Sequence, residues 1–272
     1  MSQIAFIGGG NMATAIIGGL IRQGEVSANA IRVSDPSEQQ RQNLSQSFGV
    51  QCFADNLEAV QDAELVILAV KPQMMKTVLE PLQATLSARQ PLIISIAAGI
   101  TMANLEKWSG CRQLVRCMPN TPALLGLGAT GMVASDAVEL EQRNQADRLL
   151  QATGITVWLK SEQEIDAVTA LSGSGPAYFF LLIEAMIESG VKLGLSEETA
   201  RQLAIQTALG AGQMAASSDV GPAELRRRVT SPAGTTERAI FTFEGAHLRD
   251  IVDAAMQAAN DRAGELNRLL GD

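Results

Sequence analysis

The sequence has few of the side chains that most often carry enzyme chemistry. Its 272 residues include one histidine and three cysteines, and aromatic residues make up 4%. Cys52, Cys111 and Cys117 show no metal-ligand spacing, and their odd number argues against a disulfide framework. His247 lies outside every motif, so we expect it at the surface or in ordinary packing. The sequence predicts no metal site.

Basic charge and long apolar runs are scarce as well. The formal net charge is −8 and the pI is about 4.8, whereas binding to nucleic acid or anionic membranes needs a basic surface. No apolar run reaches the roughly 18 residues of a transmembrane helix. The opening residues MSQIAFIGGG have no basic start and no cleavage site, and they lead directly into a strand. We therefore expect a cytoplasmic protein that binds neither nucleic acid nor membranes.

Short apolar runs alternate with helical patterns in the first half of the chain. These runs are residues 4–8, 31–37, 64–70, 92–98, 111–118 and 155–160. Near-continuous apolar runs such as ELVILAV are typical of strands buried on both faces of a parallel sheet. The alternation predicts an α/β domain of the doubly wound Rossmann type over residues 1–162.

The second half of the chain has no strand signals. From about Glu164 onward the pattern is helical, with a clear helix start at Ser196. The predicted helices cover residues 164–192, 197–217, 222–228, 236–244 and 248–270. We expect an all-α domain over residues 163–272. Its Ala-rich helices expose more apolar surface than they can bury alone, which predicts a dimer through this domain.

A glycine turn follows the first predicted strand. Gly8, Gly10 and Ala13 fit the pattern G-x-G-x-x-A between a strand and a helix. Gly8 allows the tight turn, Gly10 lets a pyrophosphate approach the backbone, and Ala13 keeps the helix close to the strand. The order of strand, turn and helix favours a dinucleotide site over a turn that serves packing alone.

The end of the second strand gives a mixed signal for cofactor choice. An acidic residue there usually binds the ribose 2′-OH of NAD, whereas a small polar residue with a basic neighbour accepts the 2′-phosphate of NADP. Ser34 and Ser37 can hydrogen-bond a phosphate, and Arg41 follows one turn into the next helix. Asp35 would repel a phosphate unless its side chain turns away. The sequence leaves the choice open.

Polar or small-residue turns follow the later strands. They are Lys71-Pro72, Ala98-Gly99 and the PNTP turn at 119–122, while Asn56 follows the short stretch ADN. Ligands of such sheets lie outside the carboxyl ends of the strands. We therefore expect these turns around a nicotinamide, with Asn56 towards the adenosine.

Two loops in the second half carry hydroxyl groups. Ser172 and Ser174 lie in LSGSGPAY, where Pro176 kinks or breaks the helix, so they either pack in that kink or contact nicotinamide or substrate. VTSPAGTTERA at 229–239 leads into a helix that starts near Thr236. Free N–H groups there, together with the hydroxyls of Ser231 and Thr236, suit a small carboxylate, although an ordinary capped helix has the same pattern.

The chain resembles the pyrroline-5-carboxylate reductase family in five motifs: FIGGGNMA, AVKP, RCMPNTP, LSGSGPAY and VTSPAGTT. The resemblance runs from about residue 4 to residue 268. It implies reduction of 1-pyrroline-5-carboxylate to L-proline, the last step of proline biosynthesis, by NADPH or NADH. It also implies a dimer of interlocked helices, in some members five dimers in a ring, in which the hydroxyl loop completes the partner's active site.

The resemblance assigns roles to individual residues. Ser231, Gly234, Thr235 and Thr236 would bind the substrate carboxylate, with the Thr236 hydroxyl near the ring nitrogen as the catalytic group. Ser174 is predicted as a further substrate contact from its own position in LSGSGPAY. The cofactor would contact the glycine turn with Gly8, Gly10, Asn11 and Met12, the turn of Ala69, Val70, Lys71 and Pro72, and Asn56. From their places at the ends of the predicted strands, Ile7, Ser34, Asp35, Ala97 and Ala98 are further predicted cofactor contacts. Ala233 stands where many members have glycine, and we expect little harm from one methyl group. Asp35 departs from the members that favour a phosphate.

The chemistry of this reaction fits a chain with one histidine. An imine needs a hydride at C5 and a proton on nitrogen, and a hydroxyl group or water suffices as the proton route. A β-hydroxyacid dehydrogenase is the nearest enzyme alternative. It needs a lysine soon after the glycine-rich stretch, but none follows Gly175 until Lys192. A non-catalytic dinucleotide sensor is the other alternative, and it gives no reason for the hydroxyl loop.

Overall fold

A computed structural model describes residues 3–271 of the chain. These residues form one sheet. Its strands are β1 (Ile4–Ile7), β2 (Ile31–Ser34), β3 (Gln51–Phe53), β4 (Leu65–Leu68), β5 (Leu92–Ser95), β6 (Leu114–Met118), β7 (Gly128–Ala134) and β8 (Gly154–Trp158). Their order in the sheet is β3-β2-β1-β4-β5-β6-β7-β8. Neighbouring strands are parallel except for β6 and β7, which are antiparallel. The predicted doubly wound α/β fold is confirmed.

Helices follow most of the strands and make up the second half of the described chain. They are α1 (Asn11–Gln23), α2 (Glu38–Phe48), α3 (Asn56–Val60), α4 (Met75–Leu79), α5 (Gln83–Arg89), α6 (Met102–Ser109), α7 (Leu140–Gln151), α8 (Glu164–Val168), α9 (Gly175–Lys192), α10 (Glu197–Ala216), α11 (Pro222–Arg228), α12 (Thr235–Gly245) and α13 (Leu248–Leu269). The all-α second half is confirmed, and the Ser196 hydroxyl caps α10 by accepting from the Thr199 N–H at 3.1 Å.

The central strands are buried on both faces because their residues are apolar without interruption. All four residues of β1, β4 and β5 are buried. Alternate side chains of a strand point to opposite faces. Phe6 and Ile67 therefore pack in one core, and Ile7 and Leu68 pack in the other. The sheet is thus a rigid support whose carboxyl edge carries the turns of interest.

Two strands were not expected from the sequence. β3 has three residues, and β7 has the sequence GATGMVA. Gly128 and Gly131 weaken the β-propensity of β7, so the local pattern does not reveal it. The strand forms because its antiparallel pairing with β6 and its parallel pairing with β8 satisfy its backbone.

The helical stretch Glu164–Lys192 has two features that the local sequence pattern did not predict. Its geometry is that of a π-helix over Thr169–Gly173, directly before Pro176 enters the first turn of α9. The stretch is also long and apolar enough to cross a membrane by length and composition, with a mean hydropathy of 1.4 and 11% of that window buried. The expectation that the chain has no transmembrane helix therefore stays a prediction. Such a helix is equally typical of an apolar contact surface between protein chains.

The chain divides into two compact units at other positions than the predicted boundary of 162/163. The first unit comprises Met1–Ser174 and Ala259–Asp272, and the second comprises Gly175–Ala258. Helix α13 contributes residues to both units. The chain from Ala259 onward thus returns to the sheet unit, a contact between residues far apart in sequence, and the boundary at 162/163 stays a prediction.

A buried arginine joins distant parts of the first unit. The Arg116 side chain on β6 is 2% exposed and donates to Glu162 Oε1 at 2.8 Å and to Asn267 Oδ1 at 2.9 Å. Asn267 in turn donates to the Asp166 carboxylate at 2.9 Å, and Glu162 accepts from the Met102 N–H at 2.7 Å. The network fixes the start of α8 and the end of α13 against the sheet.

Removing the Arg116 charge should destabilise the protein strongly. We expect Arg116→Ala to lower the free energy of unfolding by about 3–5 kcal/mol, because the Glu162 carboxylate loses its partner inside the fold. Arg112→Ala is the matched control, since its side chain is 77% exposed and lies 3.9 Å from Glu106. That control should lose at most about 1 kcal/mol. Urea unfolding measures both, and equal losses would contradict the structural role of the network.

Candidate functional site

The glycine turn after β1 is closed by direct contact with β4. Gly8 has a φ of 96° and donates its N–H to the Ser34 carbonyl oxygen at 2.8 Å. A Cβ atom at Gly8 would lie 2.7 Å from the Ala69 carbonyl oxygen. Both the backbone conformation and the space therefore require glycine. β1 lies between β2 and β4 in the sheet, so this turn is at the point where the strand order reverses.

Helix α1 begins beside this turn with its N–H groups unshielded. Gly10 is its N-cap, provides no side-chain cap and is exposed. The first turn contains no acidic residue, so the N–H groups of Asn11 and Met12 present a positive end. A Cβ atom at Gly10 would meet nothing within 4 Å. The open space at Gly10 together with these donors makes a cradle for a phosphate group.

The peptide of Gly9 is held from both sides by residues of the next βα unit. Asp35 Oδ2 accepts from the Gly9 N–H at 2.9 Å, and Gln40 Nε2 donates to the Gly9 carbonyl oxygen. Asp35 Oδ1 accepts from the Ser37 N–H at 2.9 Å. The Asp35 carboxylate therefore points back into the glycine turn, which is the alternative that the sequence left open.

The Ser34 side chain is buried and forms a hydrogen bond within the protein. It is 0% exposed and donates to Asn56 Oδ1 at 2.6 Å. This corrects the expectation that the Ser34 hydroxyl hydrogen-bonds a phosphate. The same contact fixes Asn56, which is partly exposed at the start of α3.

The turns after β4 and β5 lie at the same edge as the glycine turn. Ile7 pairs with Leu68, and Leu68 pairs with Ser95, so the carboxyl ends of three strands are level. Beyond them, Ala69, Val70, Pro72 and Ala98 are half-buried, Lys71 is exposed and Ala97 is buried. The topology thus brings together the cofactor residues predicted on β1, β4 and β5.

Asn120 lies in the PNTP turn after β6, which was expected near the nicotinamide, but it was not singled out as a site residue. Its Nδ2 donates to the Ser172 carbonyl oxygen at 3.0 Å, and its Oδ1 accepts from the Ala129 N–H at 2.9 Å. Asn120 therefore ties the turn to β7 and to the π-helical segment Thr169–Gly173. The position of an asparagine directly after a strand end, in PNTP, was the signal that could have singled it out.

The two serines of LSGSGPAY have different surroundings. The Ser172 hydroxyl donates to the Val168 carbonyl oxygen at 3.1 Å, which supports a role in the helix itself. The Ser174 N–H completes the π-helix by donating to the Thr169 carbonyl oxygen at 2.8 Å. Among the described residues the Ser174 hydroxyl has no hydrogen-bond partner. Ser174 belongs to the first unit and the hydroxyl loop to the second.

The hydroxyl loop enters α12 through Gly234, which provides no side-chain cap. The Gly234 N–H donates to the Ser231 carbonyl oxygen at 3.0 Å, so it is not one of the free donors that the sequence suggested. No hydrogen bond within residues 3–271 uses the N–H groups or hydroxyls of Thr235 and Thr236, and both residues are exposed. Two backbone donors and up to three hydroxyls, counting Ser231, thus remain for a ligand.

The Glu237 contact in this loop was not predicted from the sequence, and the effect of alanine at position 233 was underestimated. Glu237 in the first turn of α12 accepts from the Ala233 N–H at 2.8 Å, an arrangement signalled by the glutamate three residues after the N-cap. Ala233 has a φ of 58°, where an alanine costs about 1 kcal/mol relative to glycine. The methyl group therefore matters through backbone strain, contrary to the expectation of little harm.

The cysteines and the histidine have no part in this geometry. Burial raises the pKa of the Cys111 thiol to about 11 and raises the pKa of Cys117 further. Burial also raises the pKa of the Cys52 thiol, an effect that the nearby Arg41 charge partly offsets. His247 is exposed and lies 3.1 Å from Asp250. In the described part of the chain no group of three histidine, cysteine or acidic residues is placed to hold a metal.

Comparison with known proteins identifies the family. A family model described as pyrroline-5-carboxylate reductase dimerisation matches residues 162–266, and one described as NADP oxidoreductase coenzyme F420-dependent matches residues 3–99. A pyrroline-5-carboxylate reductase of Pseudomonas aeruginosa is 56% identical over 99% of this chain and 98% of its own length.

Solved structures give the same result. The pyrroline-5-carboxylate reductase of Coxiella burnetii aligns with a TM-score of 0.94 and 44% identity, over 97% of this chain and 98% of that one. The Plasmodium falciparum pyrroline carboxylate reductase with NADP bound aligns with a TM-score of 0.85 and 28% identity, over 98% of each chain. With this agreement along its whole length, the chain belongs to the pyrroline-5-carboxylate reductase family.

Proposed function

We propose that this chain reduces 1-pyrroline-5-carboxylate to L-proline with NADPH, and accepts NADH as a second donor. The observation that carries the proposal is the 56% identity to a pyrroline-5-carboxylate reductase along essentially the whole chain. The rival of a non-catalytic dinucleotide sensor does not account for the hydroxyl loop, which such a protein would not need. The absence of a lysine between Gly175 and Lys192 argues against a β-hydroxyacid dehydrogenase.

The carboxyl edge of the sheet fits a dinucleotide. The open cradle at Gly10 and the uncapped start of α1 suit a pyrophosphate, and Gly8, Asn11 and Met12 belong to the same turn. Ala69 to Pro72, with Ala97 and Ala98, would surround the nicotinamide, and Ile7 and Asn56 would lie along the rest of the cofactor. When bound, NADPH supplies a hydride for C5 of the imine.

The hydroxyl loop fits the carboxylate of the substrate. The N–H groups of Thr235 and Thr236 stand at the positive end of α12, and the hydroxyls of Ser231 and Thr236 add further donors. The resemblance places the Thr236 hydroxyl next to the ring nitrogen, and Ser174 stays a further predicted substrate contact. Gly234 would then serve as the turn that aims these groups.

The chain's own contribution to the reaction is position and a proton route. Reduction of the C=N bond consumes one hydride at carbon and one proton at nitrogen. An imine protonated on nitrogen is already electrophilic, so no strong general acid is needed, and the Thr236 hydroxyl can pass a proton from water. Catalysis would rest chiefly on holding the imine carbon in line with the hydride donor.

We propose that the region after residue 162 both binds substrate and forms a homodimer. Its second compact unit leaves large apolar side chains uncovered, including Phe179, Phe180, Leu181, Leu203, Leu209 and Phe241. Its buried residues, by contrast, are small ones such as Ala200 and Ala204. A second copy that covers this surface stabilises both copies through apolar burial. Five such dimers in a ring are the larger assembly that the resemblance suggests, in a cytoplasmic protein.

Loss of the Thr236 hydroxyl should slow turnover while cofactor binding is kept. For Thr236→Ala we expect kcat to fall by about ten- to a hundred-fold, since water replaces the hydroxyl only in part. Thr236→Ser should retain most activity. Thr242→Ala is the matched control, because that hydroxyl donates to the Arg238 carbonyl of its own helix. The assay follows NADPH oxidation with pyrroline-5-carboxylate and identifies proline by chromatography. Wild-type turnover in Thr236→Ala would remove Thr236 from the mechanism.

The dimer should depend on the apolar surface of the second unit. Light scattering of the purified protein should give the mass of a dimer or of a multiple of dimers. Phe180→Glu places a charge on that surface and should shift the protein to smaller species. Leu140→Glu, at a side chain that is 74% exposed on α7, should leave the mass unchanged. A stable and active wild-type monomer would contradict the proposal.

A further inference from the structure

We propose that Arg41 recognises the 2′-phosphate of the cofactor and that Asp35 acts as a clamp of the glycine turn rather than as a ligand of the ribose. This inference rests on the proposed function, because it names the chemistry by which the same site selects NADPH over NADH. It assigns opposite roles to two charged residues six positions apart, Asp35 directly after β2 and Arg41 in the first turn of α2.

The first observation is the orientation of Asp35. Both carboxylate oxygens accept backbone N–H groups, Oδ2 from Gly9 and Oδ1 from Ser37, each at 2.9 Å. An acidic residue that reads NAD presents its carboxylate to the ribose 2′-OH. In this chain the carboxylate is directed at the backbone of the turn, and the two N–H donors compensate its charge.

The second observation is that two residues of α2, Gln40 and Leu44, also contact the glycine turn at Gly9. Gln40 Nε2 donates to the Gly9 carbonyl oxygen, and a Cβ atom at Gly9 would lie 2.6 Å from Leu44 Cδ1. Asp35 and Gln40 therefore fix the Gly9 peptide, and Leu44 leaves no room for a side chain at this position. Loss of the Asp35 carboxylate should loosen the phosphate cradle for every adenine dinucleotide alike, whatever the ribose carries.

The third observation is the position of Arg41. Its Nη1 donates to the Asp35 carbonyl oxygen at 2.7 Å and to the Pro36 carbonyl oxygen at 3.0 Å. These bonds hold the guanidinium at the end of β2, where the ribose of a bound dinucleotide lies in this fold. Among the described residues Arg41 forms no ion pair, and its Nη2 and Nε have no hydrogen-bond partner. A planar group with spare donors is suited to a phosphate.

The other polar side chains near the end of β2 that could bind a phosphate already form contacts within the protein. The Ser34 hydroxyl is buried and bonded to Asn56, and Arg32 donates to the Glu58 carbonyl oxygen and stacks on the Phe53 ring at 4.7 Å. The Ser37 hydroxyl caps α2 by accepting from the Gln40 N–H at 3.3 Å, which leaves its own proton for an acceptor. Arg41, assisted by Ser37, is therefore the group that can distinguish a phosphate from a hydroxyl.

The test uses two nucleotides that differ only by the phosphate in question. Calorimetric titration of 2′,5′-ADP and of 5′-AMP into the full chain measures binding without turnover. We expect Arg41→Gln to raise the Kd of 2′,5′-ADP by about ten- to a hundred-fold and to change the Kd of 5′-AMP by less than about two-fold. Arg89→Gln is the matched control, because Arg89 is exposed and precedes β5, at the opposite edge of the sheet.

The variants of Asp35 separate the two roles of that residue. Asp35→Ala should weaken both nucleotides by a similar factor, because the Gly9 N–H loses its acceptor. Asp35→Asn retains an acceptor oxygen and should bind both nucleotides nearly as wild type does. If Asp35 instead reads the ribose, Asp35→Ala will weaken 5′-AMP alone and tighten 2′,5′-ADP.

The outcomes distinguish this inference from the proposed function. A wild-type protein that binds neither nucleotide would remove the dinucleotide function itself. If the wild-type protein binds both nucleotides and Arg41→Gln raises neither Kd, or raises both equally, the assignment of Arg41 is overturned. The reductase function would still stand. The assignment of Arg41 is supported if Arg41→Gln raises only the Kd of 2′,5′-ADP, and if this increase is smaller at high ionic strength.

Discussion

The close approach of Gly8 to the main chain of Ala69 is the constraint on which the rest of the cofactor edge depends. β1 and β4 are neighbours in the sheet although two strands lie between them in sequence, and their carboxyl ends meet at this point. A side chain at Gly8 would press on the Ala69 carbonyl oxygen at 2.7 Å. Because Gly8 has no side chain, the turn can close. The turn then directs α1 so that the N–H groups at the start of this helix face the carboxyl edge of the sheet.

The turn is reinforced by a second layer of polar contacts. Asp35 and Gln40 bind the N–H and the carbonyl of the Gly9 peptide, so that protein contacts define the shape of the loop. Preorganised donors favour binding because less ordering is needed when the ligand arrives. The same logic applies at the PNTP turn, where Asn120 joins β7 and the π-helical segment. Polar side chains in both places act through the backbone that they hold.

Local sequence patterns predicted most of the helices and strands of the fold. The uninterrupted apolar residues of β1, β4 and β5, and the helix starts such as Ser196, predicted their elements within a few residues. β7 escaped because its glycine-rich sequence becomes a strand only through its neighbours β6 and β8. The buried contact between Arg116 and Asn267 joins residues 151 positions apart, a pairing that no local pattern encodes.

The residues of the candidate site were easier to name than to orient. The motifs pointed to Gly8, Asp35 and the hydroxyl loop, because turn chemistry and a capped helix start are local properties. The direction of the Asp35 carboxylate depends on Gly9, 26 residues earlier, and the burial of Ser34 depends on Asn56, 22 residues later. The positive φ of Ala233 likewise follows from the hydrogen bonds of its loop.

The most direct test of this account compares two alanine substitutions in the glycine turn, with the free energy of unfolding and the Kd of NADPH measured for each. Gly8→Ala should lose about 2–4 kcal/mol of stability and should no longer bind the cofactor, because its Cβ meets the main chain of Ala69 directly after β4. Gly10→Ala should lose about 1 kcal/mol or less. It should nevertheless bind NADPH at least about ten-fold more weakly, because its methyl group enters the phosphate cradle. NADPH binding by Gly10→Ala as tight as by wild type would contradict the account.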